Sequence, residues 1–230
     1  MKQNEKDAIQ FALDVSDHLS SLTYYEKDQT DVYYGKYKGK LCLYFPGTNI
    51  KQKEDIINDL NCFLYHDQKW KIRYHMGFKR AYEKIKEFIL SIVKYDDSIY
   101  IFGHSLGGAL AVLIGIDLWN IKKQVTILSF GCPRIGDKTF TNFLQRISLL
   151  HYRVVNGIDL ITHLPPWWLG YKHCGQKIRI GNRWAFWRYL WNHNLSEYKK
   201  RFLEKCDYVD QIAYNSGIPK RIINGTEFGK

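Results

Sequence analysis

Long apolar runs are missing from this chain of 230 residues. The longest uncharged apolar stretch, around Leu106 to Ile116, falls far short of the roughly 18 residues a membrane span needs, which predicts a soluble protein. Cysteine is sparse and scattered: Cys42, Cys62, Cys132, Cys174 and Cys206 include no Cys-x-x-Cys pair. That pattern excludes a disulfide framework or a zinc site as the organising feature, and predicts reduced, mostly buried thiols with no metal and no cofactor. The opening residues 1 to 8 lack the basic-then-apolar layout of a secretory signal, so an intracellular, cytoplasmic location is expected, or else a chain already processed. Acid is in short supply, with 23 Asp and Glu against 34 Lys and Arg and a net charge of +11. An excess of this size favours anionic surfaces, yet the bases alternate with acids and no nucleic-acid module accompanies them. No nucleic-acid partner is therefore expected, and nothing in the residues points to an oligomeric state.

What is present reads as a single domain over 1–230, large enough to bury a real core. Glu5 to Leu22 has apolar residues at helical spacing, and Val32 to Tyr37 with Leu41 to Phe45 reads as a hairpin whose second strand is central. Gly77 to Lys94 carries a clean helical face through Phe78, Tyr82, Ile85 and Ile89. A strand at 98–102, a helix at 106–119, a strand at 124–130, a helix at 138–145 and strands at 151–155 and 178–180 follow. Short strands alternating with helices predict an α/β protein with a mostly parallel central sheet, whose sites lie beyond the carboxyl ends of the strands. From Lys199 onward the residues carry no site signal, and Gly217-Ile218-Pro219 and Asn224-Gly225 suggest a loosely held end.

Gly103-His104-Ser105-Leu106-Gly107 sits at one such strand end. Glycines flank the serine where a sharp strand-to-helix turn needs them, which makes Ser105 a candidate nucleophile. A serine hydroxyl attacks only with a base in reach and donors for the oxyanion. In the order serine, acid, histidine, the acid falls at Asp159, after the strand ending Val154-Val155, in preference to Asp137 one strand earlier. His163 stands too close to Asp159 to bridge it to the serine, which leaves His193, in a polar turn before the last helix, and His173. The backbone N–H of Leu106 supplies one oxyanion donor, and Thr48 after Gly47 stands where the second belongs.

These pieces, together with Phe45-Pro46-Gly47-Thr48, His75-Met76-Gly77-Phe78, Phe130-Gly131-Cys132-Pro133-Arg134, Arg153-Val154-Val155-Asn156, Leu164-Pro165-Pro166 and Gly170-Tyr171-Lys172-His173, resemble the class 3 lipase family, the fungal-type triacylglycerol lipases and their plant and microbial relatives. The resemblance spans about residues 41 to 198. It implies an α/β-hydrolase fold with Ser105 as nucleophile, Asp159 as acid and His193, ahead of Tyr198, as base. It also implies an oxyanion hole from Thr48 and Leu106. Members usually carry arginine where this chain has Pro46.

The expected chemistry is hydrolysis of carboxylic esters of lipids, acyl glycerols or phospholipids, through an acyl-enzyme. A serine esterase or thioesterase on soluble substrates would use the same residues, and a non-catalytic lipase-like interaction module is the third reading. Residues 49–60, with Ile50, Ile56, Ile57 and Leu60 among charges, are lid-like or a fixed amphipathic helix. Trp167 and Trp168, with Ile50, are the candidate substrate-binding residues, placed to line an acyl pocket or touch lipid. Five tryptophans interleaved with Lys and Arg between the acid and the histidine suit a transient contact with a membrane or lipid-droplet surface.

Overall fold

The computed structural model describes residues 1–47, 63–181 and 193–215, with side chains through 207. Its centre is a seven-stranded sheet. In chain order the strands are β1 (Thr23–Lys27), β2 (Thr30–Tyr37), β3 (Lys40–Phe45), β6 (Ser98–His104), β7 (Gln124–Phe130), β8 (Leu150–Asn156) and β9 (Gln176–Ile180), and they lie side by side in that order. From β3 to β9 every pairing is parallel; β1, β2 and β3 form an antiparallel meander at one edge. A separate antiparallel ribbon pairs β4 (Leu64–Asp67) with β5 (Ile72–His75).

Period-two alternation divides each central strand between two cores. Leu41, Leu43 and Phe45 of β3 face a layer made by α2 (Met76–Ile92), α3 (Leu106–Asn120) and α4 (Lys138–Arg146). Cys42 and Tyr44, with Phe102, Leu128 and Val154, face α1 (Gln3–Asp17) and α5 (Leu195–Asn215) on the other side. A sheet covered on both faces needs apolar residues at nearly every position, and β3 has them from Leu41 to Phe45. Helix α3 is apolar all round, and its residues from Gly107 to Ile116 are buried, as befits a helix wedged between the sheet and α2.

Most of the alternation read from sequence is present, with three differences. The first helix stops at Asp17 and gives way to a 3-10 turn at Leu19–Ser21, rather than running to Leu22. Strands β1, β4 and β5 were not foreseen; β1 is an edge strand with mostly exposed side chains, and the other two span four residues each. The last helix continues past Lys199, with Phe202 and Cys206 buried against the sheet, so the packed part of the chain reaches further than the loose end expected from 199.

Candidate active site

Ser105 stands between β6 and α3 with φ 57° and ψ −125°. That region is strained for a residue with a Cβ, by about 1–3 kcal/mol, and the surroundings hold it in place. The Ser105 amide donates to the Phe130 carbonyl at 2.9 Å, fixing the turn to the end of β7. Side chains are excluded beneath it: a Cβ at Gly107 would collide with the Phe45 carbonyl and one at Gly103 with the Gly107 carbonyl, so only glycines let α3 start this close to the sheet.

The chain brings all three expected groups together. His193 Nε2 lies 2.8 Å from Ser105 Oγ, and His193 Nδ1 lies 2.8 Å from Asp159 Oδ2 and 3.0 Å from Oδ1. This geometry puts the Nδ1 proton toward the carboxylate and leaves Nε2 to accept from the serine hydroxyl. Asp159 follows β8 at the sheet's carboxyl edge and is fully buried. It also accepts from the Ile161 amide at 3.0 Å and from the Tyr198 hydroxyl at 2.5 Å. Burial and the neighbouring carboxylate push the Tyr198 phenol well above its usual value, so it stays a donor.

Two of these supports were not legible as such. Tyr198 falls at helical spacing with Leu195 and Phe202 and reads simply as core. His104 stands in the sequence only as part of the serine pentapeptide, yet its Nε2 donates to the His193 carbonyl at 2.6 Å, and the two rings lie 4.7 Å apart. Strand end and base-bearing turn are thereby tied together.

The alternatives have other work. Asp137, the competing acid, is buried and caps α4, accepting from the Thr139 and Phe140 amides, with Arg73 against its second oxygen. His163 turns its Nδ1 back to the Asp159 carbonyl at 3.0 Å. His173 lies apart from the serine, and burial, aided by the positive field of Arg153 and Arg134, pushes its imidazole down to about 2.

Of the expected oxyanion donors, Leu106 is the first residue of α3, where the N–H has no intrahelical carbonyl to meet. Thr48 and Ile50, and with them residues 49–60, lie outside the described residues. Gly47 leads up to that turn, and a Cβ built on it would come within 3.2 Å of the Ser105 Cβ. Trp167 and Trp168 stand on an exposed 3-10 turn, Trp167–Leu169.

Comparison with known proteins agrees with this geometry. The chain is 31% identical to a lipase of Rhizomucor miehei over 117 residues, 46% of this chain and 32% of the relative. It is 26% identical to a secreted mono- and diacylglycerol lipase of Malassezia globosa over 202 residues, covering 78% of this chain and 65% of that protein. Lipase II from Rhizopus niveus superposes with a TM-score of 0.62 at 27% identity, covering 70% of this chain and 65% of that structure. The chain spans about a third of the length of the first of these relatives. The family model described as "Lipase (class 3)" matches residues 42–168, more than half of the sequence. That stretch holds the serine elbow and the acid loop, and the chain belongs to the class 3 lipase family.

Proposed function

We propose that this protein is a serine lipase that hydrolyses carboxylic esters of lipids. The observation that carries the reading is the unbroken hydrogen-bonded line Ser105–His193–Asp159 at the carboxyl edge of the sheet. In the first half-reaction His193 Nε2 takes the Ser105 proton as Oγ bonds to the ester carbonyl carbon, and Asp159 stabilises the imidazolium that forms. The oxyanion meets the Leu106 N–H and, on the family pattern, Thr48. The imidazolium then protonates the departing alcohol as the ester C–O bond breaks. Water, deprotonated by the same imidazole, releases the fatty acid and restores the serine.

Lipid esters are favoured over soluble ones because the similar proteins are named lipase, mono- and diacylglycerol lipase and phospholipase A1. An intracellular site of action, with transient contact at a lipid surface, is the accompanying proposal. Cys42, Cys132, Cys174 and Cys206 are buried free thiols, which suits a reducing compartment.

A panel of acyl glycerols, phospholipids and short p-nitrophenyl esters, run with wild type and Ser105→Ala, tests the reading. Expected is lipid turnover that falls by about four to six orders of magnitude in the variant. Labelling of Ser105 by a fluorophosphonate without lipid turnover would move the assignment to a soluble esterase or thioesterase. Absence of labelling would leave only an interaction module.

A further inference from the structure

Eleven large hydrophobic side chains are exposed among the described residues, and four of them cluster immediately after the catalytic acid: Leu160, Trp167, Trp168 and Leu169. The two indoles are 62% and 69% exposed and meet edge to face at 6.0 Å. Flexible loops often carry stray apolar residues, but this one is clamped. Arg134, itself buried, donates from its guanidinium to the carbonyls of His163 and Pro165, and from its amide to the Leu164 carbonyl at 2.6 Å. On the far flank Gly170 closes the turn onto the Trp167 carbonyl, and the Lys172 amide donates to the Gly136 carbonyl at 2.8 Å. A buried arginine thus holds in place a loop that displays two tryptophans to water.

The stretch of sequence that carries the platform has formal charge of one sign. From Leu160 to Ser196 the sequence contains no Asp or Glu, while it contains Lys172, Lys177, Arg179, Arg183 and Arg188. Lys172 is exposed beside the tryptophan turn. Indole rings settle at the headgroup level of a bilayer, where an apolar body and a polar N–H are both satisfied, and lysines or arginines nearby draw anionic headgroups.

We propose that Leu160, Trp167, Trp168 and Leu169 form a rigid anchor that docks the enzyme on an anionic phospholipid surface with its catalytic edge toward the lipid. The anchor rests on the lipid-ester reading above for its purpose, though its binding needs no turnover. Rigid presentation means that docking spends little conformational entropy, and the position directly after Asp159 sets the acid loop at the interface.

The test uses the full chain as Ser105→Ala, so that the vesicles stay intact. Sedimentation with sucrose-loaded phosphatidylcholine vesicles, with and without phosphatidylserine, is compared for this parent, for Trp167→Ser/Trp168→Ser and for a remote control at exposed Tyr95, Tyr95→Ser. Expected is tighter binding with phosphatidylserine, a loss of about tenfold or more in the double variant, and parental binding in the control. The single variants Trp167→Ser and Trp168→Ser, each with an unshifted thermal midpoint, show that folding is intact. Parental sedimentation of the double variant would overturn the anchor even if the wild type hydrolyses lipid. Indifference to phosphatidylserine would overturn its anionic preference. Loss of sedimentation in a protein that turns over no ester would support the anchor and refute the lipase reading instead.

Discussion

Tyr198 donates its hydroxyl to Asp159 Oδ2 at 2.5 Å, from the first turn and a half of α5 to a carboxylate that is wholly buried. Together with His193 Nδ1 and the Ile161 amide it satisfies a charge that water cannot reach. Tyr198→Phe keeps the ring and removes one of those donors. A hydrogen bond to a buried charged group is worth about 1.5–3 kcal/mol, so a drop of that size in unfolding free energy is expected. Because the hydroxyl touches the acid and not the substrate, kcat should fall by about tenfold to a hundredfold through misorientation of His193 while KM holds. Steady-state kinetics on a short p-nitrophenyl ester, beside urea unfolding, checks both; an unchanged kcat would remove Tyr198 from the catalytic support.

Gly131 follows β7 with φ +61°, directly against the acid–base pair. A methyl placed there would lie 2.8 Å from Asp159 Oδ2 and 2.8 Å from His193 Nδ1. Gly131→Ala therefore suffers twice, from about 1–2 kcal/mol of backbone strain and from a wedge driven between the two groups that must stay in line. A loss of about a hundredfold in kcat/KM is expected in a protein that still folds. Fluorophosphonate labelling should slow in parallel, with near-ultraviolet circular dichroism retained. Wild-type labelling rates would show that the elbow tolerates what the geometry forbids.

Asp137 is a structural carboxylate, in contrast to Asp159 in the proposed triad. Burial pushes its acidity up, but hydrogen bonds from the Thr139 hydroxyl and the Phe140 and Thr139 amides, with Arg73 beside it, outweigh that and hold it below the usual aspartate range. Asp137→Ala should cost about 1–2 kcal/mol as a lost helix cap, with the half-exposed Arg73 pair adding little. Activity per folded molecule should remain near wild type, unlike that of Asp159→Ala. Since the folded carboxyl is the stronger acid, its stabilisation is present above about pH 3.9 and is lost as pH falls through the lower folded value. The gap between wild type and variant should close there, as read by thermal unfolding at several pH values.

The triad was legible because chain order constrains it: a serine on a glycine-flanked turn, an acid after a later strand, a histidine before the last helix. The sheet's middle was legible for a related reason, since a strand buried on both faces, such as β3 from Leu41 to Phe45, leaves an unbroken apolar signature. What failed to register shares a cause of its own. Strand β1 exposes most of its side chains, so its sequence has no face to betray it, and β4 and β5 are too short for a period to emerge. Tyr198 was invisible as a catalytic support because burial of its ring, which sequence spacing reports, is independent of where its hydroxyl points. Arg134 stands in the sequence only as part of the Phe130–Arg134 piece, and nothing local reports that its guanidinium is buried under backbone carbonyls about thirty residues away in sequence. Thr48, expected as the second oxyanion donor, lies outside the described residues.

Three histidines outside the triad should make stability fall on acidification. Burial pushes His75 down to about 4 and, with help from Arg153, His151 to about 3 and His173 to about 2. The hydrogen bonding agrees for His75, whose Nδ1 caps α2 by accepting from the Gly77 and Phe78 amides and so has no room for a proton. In the unfolded chain each imidazole takes a proton near pH 6.5. Below that value the unfolded state binds more protons than the folded one, so stability rises with pH. These groups contribute fully above about pH 6.5, and their contribution drains away as pH falls toward the folded values, by up to about 1.4 kcal/mol per pH unit for each histidine. Urea unfolding at pH 7.5, 6 and 5 measures the slope. In His75→Asn the asparagine can still cap α2 but cannot titrate, so the variant should lose overall stability to the smaller side chain while its slope flattens by one histidine's share. A slope identical to wild type would mean that His75 is protonated alike in both states, and that the cap is not what excludes its proton.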